Sequence, residues 1–502
     1  MRLTPALGAA LLLAGTPVAA AEATQPVRTD DLVRVHGGAV QGKREGADYV
    51  FRGIPYAAPP IGPLRWQPPG PVAPWDYVRD ATRQAPACLQ KSEGWNRVSW
   101  LYSSEDCLTL DVRTSSLSGK RPVMVWIHGG SNRSGSSGGP ADSDMAGQGV
   151  VHVGVQYRLG LLGFMSHPAL TAEQRGSSGN YALMDQIAAL RWVQDNIASF
   201  GGDPGNVTIY GESAGAQDVS LLLAAPLAQG LFHKAILQSG TPGFGMSFRS
   251  LAEAEAVGLQ LDRAADAGGD LSRLRALSPV ALLDLQQEVA DPAADRGTAT
   301  WLRITVDGKV LPDAPDRLIA RNAPKPVIIG VDKVEFGPGS DDGDLLPLAE
   351  AWFPGRGAEA LAAYRAEASP DPRRGNLALR LQSDGEFHCP ADRLADLLAA
   401  SGWPTWFYEF DVGENGGLTR HAYEIGFILE HKPVGGGVHM QDYWAALAIA
   451  GDPNGTTSLG QPRPRWERWS PSRPRQMFFG EDRSGMIHGK PRAQFCQFSE
   501  AF

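Results

Sequence analysis

The stretch TIYGESAGAQ, residues 208–217, places Ser213 between two glycines, Gly211 and Gly215, each two positions away. A β-branched run precedes the serine and the apolar run 219–226 follows it. The G-x-S-x-G pattern is typical of a sharp strand-to-helix turn that holds a serine in a strained conformation, where larger side chains at the glycine positions would collide with the strand or the helix. The spacing therefore predicts that Ser213 is a nucleophile at the end of a strand.

A serine hydroxyl is a weak nucleophile at neutral pH. It requires a base, usually a histidine, and a carboxylate that holds that histidine in the correct tautomer. Backbone N–H groups must also point at the oxyanion that develops during attack. The sequence HGGS, residues 128–131, follows the apolar run 123–127 and is suited to expose such N–H groups.

The chain around Ser213 alternates strands and helices. Short apolar runs at 123–128, 150–157 and 207–211 each end in a turn, and an amphipathic helix is predicted between the last two. This alternation indicates an α/β fold with a mainly parallel sheet covered on both faces, whose active site lies at the carboxyl ends of the strands. The segment 246–299 is rich in Leu, Ala and Asp and predicts a helical insert that caps the site.

The N-terminus predicts an exported protein. Arg2 precedes the apolar run 6–14, and Ala19 and Ala21 form an A-x-A cleavage pattern. We therefore expect a signal peptide at residues 1–21 and one domain at residues 22–502. Delivery to the periplasm and secretion from the cell both remain open.

Composition limits the partners. The 502 residues carry a net charge of −9, which argues against nucleic acid as a partner. No stretch after the signal peptide has the uninterrupted apolar length of a membrane helix, so we expect no stable membrane insertion. The sequence does not determine the oligomeric state.

Four cysteines are present, and an exported chain with an even number of cysteines predicts disulfides. Four cysteines allow three connectivities, and four free thiols are the alternative. No pair has C-x-x-C spacing, so a zinc site or a redox motif is not expected. The four residues are Cys88, Cys107, Cys389 and Cys496.

The mature chain resembles the type B carboxylesterases, the α/β-hydrolase family that includes the cholinesterases and bacterial para-nitrobenzyl esterases. The resemblance implies an α/β-hydrolase fold with helical cap insertions, a serine esterase activity and no metal or organic cofactor. Five segments carry it: FRGIPYAAPPIGPLRWQPP (51–69), SEDCLTLDV (104–112), the block 179–215, GLFHKAILQSG (230–240) and GDPN (451–454).

The resemblance also implies the partners of Ser213. In this family the nucleophile is followed along the chain by an acid, usually Glu, and then by a histidine. GVDKVEF (330–336) is similar to the acid motif and points to Glu335, whereas RHAYEIGF (420–427) is similar to the histidine motif and points to His421. His431 and His439 are nearby rivals.

The implied oxyanion hole consists of the amides of Gly130, Ser131 and Ala214. The family usually has a third glycine where this chain has Ser131, so this position departs from the pattern. The resemblance further implies the disulfide pairs Cys88–Cys107 and Cys389–Cys496.

These features predict a secreted serine esterase that hydrolyses small-molecule esters through an acyl-enzyme on Ser213. Arg133 and Arg303 suggest a di- or tricarboxylic acyl group, as in the fumonisin esterases of this family, because guanidinium groups bind carboxylates bidentately. The alternative is that both arginines are solvated or structural and that the protein is a general neutral-ester carboxylesterase or lipase. An acyltransferase is a further possibility. A non-enzymatic binding module of the same fold is disfavoured because Ser213, Glu335 and His421 are all present.

Overall fold

The computed structural model describes residues 31–138, 142–292, 299–455 and 463–499. The predicted signal peptide lies outside these residues. The described residues form a large sheet of eleven strands, and four smaller sheets of two or three strands. In chain order the strands are β1 (Leu32–Val35), β2 (Gly38–Gln41), β3 (Lys43–Glu45), β4 (Asp48–Pro55), β5 (Val78–Asp80), β6 (Ala87–Cys88), β7 (Ser103–Ser104), β8 (Thr109–Thr114), β9 (Arg121–Ile127), β10 (Val151–Val155), β11 (Gly202–Glu212), β12 (Lys234–Gln238), β13 (Arg249–Ser250), β14 (Thr305–Val306), β15 (Val327–Asp332), β16 (Thr405–Asp411), β17 (Pro433–Val434), β18 (Val438–His439), β19 (Arg475–Gly480) and β20 (Ser484–His488).

Helices cover both faces of the large sheet. In the described part of the chain the α-helices are α1 (Arg97–Leu101), α2 (Gly160–Phe164), α3 (Pro168–Glu173), α4 (Tyr181–Asn196), α5 (Ala214–Ala224), α6 (Leu251–Ala264), α7 (Leu271–Ala276), α8 (Pro279–Leu285), α9 (Pro315–Arg321), α10 (Leu346–Trp352), α11 (Gly357–Arg365), α12 (Leu377–Ser383), α13 (Cys389–Ala400), α14 (Ile425–Leu429), α15 (Met440–Ala450) and α16 (Ala493–Cys496).

The large sheet has the order β20-β19-β16-β15-β12-β11-β9-β10-β8-β4-β3. The strands from β19 to β10 in this order are parallel, and antiparallel pairs flank them on either side. The prediction of a mainly parallel sheet is confirmed. Because the strands β9, β11, β12 and β15 are adjacent and parallel, the chain segments that follow them meet at one edge of the sheet.

Burial on both sides explains the apolar character of these strands. All five residues of β10 are buried, as are all six of β15. One large apolar cluster packs Val125 and Ile209 against α4 and α5, and a second packs Met124 and Ile236 against α15 on the opposite face. A strand that alternates between these two clusters has no solvent side, so it shows a continuous apolar run instead of an alternating pattern.

The predicted helical insert at 246–299 contains α6, α7 and α8. Helix α6 begins with a capping box, in which Ser250 accepts from the N–H of Glu253 and the Glu253 carboxylate accepts from the N–H of Ser250. No helix in the described residues is long and apolar enough to span a membrane.

The disulfide prediction is confirmed, and the pairing is the sequential one. Cys88 bonds to Cys107, which closes a 19-residue separation, and Cys389 bonds to Cys496 across a separation of 107 residues. The first bond holds the segment that leads into β8. The second ties α16, near the C-terminus, to the start of α13.

Candidate active site

Ser213 stands on a sharp turn between β11 and α5, as the G-x-S-x-G spacing predicts. Its φ is 56° and its ψ is −127°, a combination that ordinary residues seldom adopt. A Cβ on Gly211 would lie 2.5 Å from the carbonyl oxygen of Ile127, and one on Gly215 would lie 2.1 Å from the same atom. The two glycines are therefore required because the turn packs directly against the end of β9.

We expect Gly215→Ala to lower the free energy of unfolding by about 2–4 kcal/mol, because the added methyl group overlaps a backbone oxygen that cannot move aside easily. Urea unfolding followed by tryptophan fluorescence measures this. The control is Gly147→Ala, where a Cβ has no atom within 4 Å and φ is unexceptional. Equal unfolding midpoints for the two variants would contradict the close packing.

The turn 128–131 lies against the serine. A Cβ on Gly129 would lie 3.0 Å from the Ser213 Cβ. Gly130 has a φ of 113° and Ser131 a φ of 54°, so both adopt backbone conformations that favour glycine. The N–H groups of Gly130, Ser131 and Ala214 donate to no described residue, which leaves them available to a ligand oxygen. Ser131, which stands where the family usually has a glycine, therefore adopts a strained, left-handed backbone conformation.

His421 and Glu335 are hydrogen-bonded although 86 residues separate them. The distance from His421 Nδ1 to Glu335 Oε2 is 2.6 Å. The other carboxylate oxygen of Glu335 accepts from the Ser239 hydroxyl at 2.7 Å and from the Asp332 N–H at 2.8 Å. Glu335 is therefore held at both oxygens, and it can orient the imidazole.

The second ring nitrogen of His421 faces a different carboxylate. Its Nε2 lies 3.0 Å from Glu212 Oε1, and Glu212 is the residue directly before Ser213. The Ser213 hydroxyl makes no hydrogen bond within the described residues. The structure thus brings His421 next to Glu335 and to the turn that carries Ser213, without forming the serine–histidine bond.

Electrostatics at the histidine are dominated by these carboxylates. Burial lowers the pKa of His421, but the neighbouring Glu212 and Glu335 outweigh that effect and raise it to about 9. Burial raises the pKa of Glu212 to about 8, and the negative charges of Glu424 and Glu335 add to the effect, whereas His421 opposes it. Glu212 and His421 therefore each favour the charged form of the other.

His431 and His439, the two other candidates for the catalytic histidine, contact other residues. His431 Nε2 lies 3.1 Å from Asp442, and the ring of His431 stacks on that of His439 with centroids 4.1 Å apart. Nδ1 of His439 lies 2.9 Å from the backbone carbonyl oxygen of His431. Of the three candidates, the structure places only His421 against Glu335.

Arg303 is held in an internal ion-pair network. Its Nη1 lies 3.0 Å from Asp291, its Nη2 donates to Glu253 at 2.8 Å, and its Nε donates to the carbonyl oxygen of Ser247. Only 5% of its side chain is exposed. These contacts place Arg303 in the packing of the helical insert, and its role as a substrate-binding residue stays a prediction.

Arg133 is also paired, but less completely. Its Nη2 donates to Glu93 at 2.7 Å, and its backbone N–H donates to Gly130. The Glu93 carboxylate neutralises its charge beside the 128–131 turn. A substrate carboxylate would have to compete with Glu93 for this guanidinium group.

An aromatic wall adjoins the histidine. The ring centroids of Phe336 and Phe387 lie 4.1 and 5.0 Å from that of His421, and Phe244 packs on Phe387 at 5.4 Å. Phe336 is 46% exposed, whereas Phe387 is buried. The surface next to the ring of His421 is therefore apolar.

Sequence reasoning missed three residues that make polar contacts with the side chains of His421 and Glu335: Glu212, Ser239 and Asp332. Glu212 and Ser239 lie within segments that the sequence analysis used, GESAG and KAILQSG, but no spacing rule points to either as a partner of the acid or the histidine. Asp332 lies three residues before Glu335 in GVDKVEF. The feature of the sequence that could have identified these residues is that each is polar and lies at the end of an apolar strand.

The strained serine turn at the carboxyl end of a parallel strand, with a histidine–carboxylate pair beside it, defines a serine hydrolase of the α/β-hydrolase class. Residues 29–342 match the model of the carboxylesterase family. The chain belongs to the carboxylesterase family, and the protein is a carboxylic ester hydrolase.

Individual relatives agree with this membership. Fumonisin B1 esterase of Sphingopyxis macrogoltabida is 36% identical over 474 residues, covering 87% of this chain and 85% of the relative. Liver carboxylesterase of Sus scrofa is 34% identical over 468 residues, covering 81% of each chain. Two solved structures match the fold over 94% of this chain and 100% of theirs: a carboxylesterase of Geobacillus stearothermophilus, with a TM-score of 0.73 and 31% identity, and PNB esterase, with a TM-score of 0.77 and 29% identity.

Proposed function

We propose that the ester is cleaved in two steps through an acyl-enzyme on Ser213. His421 takes the proton of the Ser213 hydroxyl as that oxygen attacks the ester carbonyl, while Glu335 holds the ring and stabilises its charged form. The proton then passes to the leaving alcohol, and His421 activates water to release the acid. The observation that supports this assignment best is the 2.6 Å bond from His421 to Glu335 beside the strained turn of Ser213.

The proposed oxyanion hole is formed by the N–H groups of Gly130, Ser131 and Ala214. All three lie on the two turns that meet at Ser213, and none donates to another described residue. Donors that are already oriented toward the developing charge lower the barrier because they need no reorganisation during the reaction.

A serine-directed phosphonate ester tests the nucleophile. We expect one phosphonyl group per chain, located on the peptide that contains Ser213 by tandem mass spectrometry, with loss of esterase activity in proportion to labelling. A chain treated with the same reagent after Ser213→Ala should remain unlabelled. Labelling of any other serine together with loss of activity would overturn the assignment.

The acyl group that the geometry favours is neutral and apolar. The wall of Phe244, Phe336 and Phe387 offers contacts to hydrocarbon, and the two arginines that suggested a carboxylated acyl group are already paired with carboxylates. A di- or tricarboxylic acyl group is the second candidate, because a fumonisin B1 esterase is 36% identical to this chain.

A pair of substrates separates these two candidates. We expect kcat/KM for p-nitrophenyl butyrate to exceed that for a p-nitrophenyl monoester of tricarballylic acid by at least tenfold. The reason is that Arg133 and Arg303 are already paired with carboxylates of the protein and are not free to bind the carboxylates of the tricarballylate group. A preference for the tricarballylate ester would establish the second candidate.

The pH dependence of hydrolysis should report the Glu212–His421 contact. His421 must be neutral to accept a proton, and the Glu212 carboxylate stabilises its charged form. We therefore expect Glu212→Gln to lower the pKa of His421 and to move the acid limb of kcat/KM toward lower pH by about one unit.

The control for this variant is Glu414→Gln, an exposed glutamate paired with Arg420, whose profile should match that of the unmodified protein. An unchanged acid limb for Glu212→Gln, or one displaced to higher pH, would show that Glu212 does not stabilise the charged form of His421.

Export is the proposed route of delivery. The N-terminal pattern at residues 1–21 supports it, and so do the two disulfides, because such bonds persist in oxidising compartments. N-terminal sequencing of the protein recovered outside the cytoplasm tests the cleavage after residue 21. The mature residues 22–502 are proposed to form one domain.

A further inference from the structure

One peptide unit of the 128–131 turn carries two groups that matter for the proposed oxyanion hole. The carbonyl oxygen of Gly130 and the N–H of Ser131 belong to this unit, which is trans, as are all peptide bonds of the described residues. In a planar trans peptide the C=O and the N–H point in opposite directions. The groups that hold the Gly130 carbonyl therefore decide where the Ser131 N–H points.

The Gly130 carbonyl is held by three donors from the two residues that close the turn. The backbone N–H groups of Arg133 and Ser134 each donate to its oxygen at 3.0 Å, and the Ser134 hydroxyl donates to it at 3.1 Å. Ser134 is buried, and among the described residues its hydroxyl is the only side-chain donor to this oxygen. On the opposite side of the peptide, the Ser131 N–H has no acceptor within the described residues.

The turn needs such support because its backbone is strained. Ser131 and Asn132 are consecutive and both left-handed, with φ values of 54° and 56°. Residues with a Cβ seldom adopt this conformation, and it persists only where the surrounding contacts enforce it. Without those contacts the peptide between Gly130 and Ser131 could rotate, and its N–H would lose its direction.

A side chain from the loop 88–107, which the first disulfide closes, holds the far end of the same turn. The amide nitrogen of Gln90 donates to the carbonyl oxygen of Gly135 at 2.8 Å, and the amide oxygen of Gln90 accepts from the N–H of Gly135 at 2.9 Å. Gly135 packs back on the start of the turn, since a Cβ there would lie 2.4 Å from the carbonyl oxygen of Gly129. Gln90 thus fixes the residue that follows Ser134.

The amide of Gln90 is itself held in one orientation. Its nitrogen also donates to the carbonyl oxygen of Cys88 at 2.9 Å, and its oxygen also accepts from the Asn96 amide at 2.8 Å. Both N–H groups and both lone pairs of the amide are therefore used, and the side chain is buried. A side chain held at four points can transmit the position of the loop to the turn.

We infer that Ser134 and Gln90 are positioning residues of the oxyanion hole, which orient the Ser131 N–H through the Gly130 carbonyl. Ser134 acts directly on that carbonyl, and Gln90 acts by fixing Gly135, the neighbour of Ser134. The inference rests on the proposed function, in which the Ser131 N–H binds the oxyanion. Because that N–H is needed most when the negative charge develops, both residues should affect the transition state and not the binding of substrate.

Trifluoromethyl pentyl ketone and the alcohol made by reducing it test this inference. The Ser213 oxygen adds to the ketone carbon, its proton passes to His421, and the former carbonyl oxygen becomes an anion in the oxyanion hole. The inhibition constant of the ketone therefore reports the N–H donors. The alcohol has the same chain but forms no such bond, so its inhibition constant reports the pocket alone. Both are measured against hydrolysis of p-nitrophenyl butyrate.

We expect Ser134→Ala to raise the inhibition constant of the ketone and to lower kcat, each by about tenfold, because one of the three bonds to the Gly130 carbonyl is lost. KM and the inhibition constant of the alcohol should change by less than about twofold. The matched control is Ser137→Ala. Ser137 is a buried serine of the same segment, and its hydroxyl donates to Asp111 at 3.1 Å. This control should leave both inhibition constants unchanged.

Gln90→Met keeps the length of the side chain and removes both bonds to Gly135. We expect changes in the same direction as for Ser134→Ala, and the double variant should approach the roughly hundredfold loss that follows removal of a whole oxyanion donor. The control is Gln148→Met, which removes a buried amide that donates to Gln441 at 2.9 Å. Thermal unfolding by circular dichroism checks the folding of each variant, and Ser134→Ala alone decides the matter if Gln90→Met does not fold.

Two results would overturn the inference. Equal increases in the inhibition constants of the ketone and the alcohol would show that Ser134 and Gln90 shape the pocket instead of the oxyanion hole. Unchanged constants for both compounds in Ser134→Ala and in the double variant would show that backbone bonds alone hold the peptide. A failure of the proposed function looks different: the ketone would then bind the unmodified protein no more tightly than the alcohol does, or would keep its tighter binding in Ser213→Ala.

Discussion

Replacing Ser213 with alanine should reduce kcat by about five to six orders of magnitude while leaving the protein folded. The hydroxyl is the atom that forms the acyl bond, and no other described side chain on the two turns is placed to replace it. A methyl group fits the same strained backbone, because alanine and serine differ only by the hydroxyl. The measurement is steady-state hydrolysis of p-nitrophenyl butyrate, with thermal unfolding by circular dichroism as the check on folding.

The matched control for this variant is Ser220→Ala. Ser220 lies on the same helix, α5, is fully buried, and donates its hydroxyl to the carbonyl oxygen of Gln217 at 2.6 Å. It should keep the activity of the unmodified protein within about a factor of three, since buried polar substitutions away from the site act on stability. Normal turnover by Ser213→Ala would end the acyl-enzyme mechanism.

The second large effect is expected for Glu335→Gln, which should lower kcat/KM by about 10⁴-fold. The amide oxygen can still accept from the Ser239 hydroxyl and the Asp332 N–H, so the side chain stays in place. Its NH2 group then meets His421 Nδ1. The ring must accept at Nδ1 and carry its proton on Nε2, which is the tautomer that cannot take the proton of Ser213.

This loss should appear in kcat/KM without a matching loss of stability. The control is Glu430→Gln, nine residues after His421 along the chain, because Glu430 is an exposed glutamate paired with Lys432. Activity within tenfold of the unmodified protein for Glu335→Gln would show that another carboxylate orients the histidine. Glu212 would then be the first to test, since its Oε1 lies 3.0 Å from Nε2.

The two predictions differ in how far the sequence alone supports them. Ser213 follows from local geometry: the requirement for glycine at 211 and 215 arises from the collision of a Cβ with the end of β9. Glu335 does not follow in this way. The chain has 55 acidic residues, and only the resemblance to a family selected this one.

Charged residues were the least predictable part of the site. The sequence that suggests Arg303 as a ligand for substrate carboxylates does not reveal that Asp291 and Glu253 already bind it. Whether an arginine is free depends on which carboxylates fold against it, and those come from α6 and from a segment after α8. The same reason explains why Glu212 and Asp332 were missed as neighbours of His421.

The sequence by itself determined the parallel α/β sheet, the serine turn and the presence of four cysteines able to pair, because strand patterning and glycine spacing are local properties. The tertiary structure alone decided which nitrogen of His421 faces which carboxylate and which arginines are neutralised. These are contacts between residues up to 209 positions apart, as for Glu212 and His421, and a charge buried far from water takes its pKa and its role from whichever groups the fold brings to it.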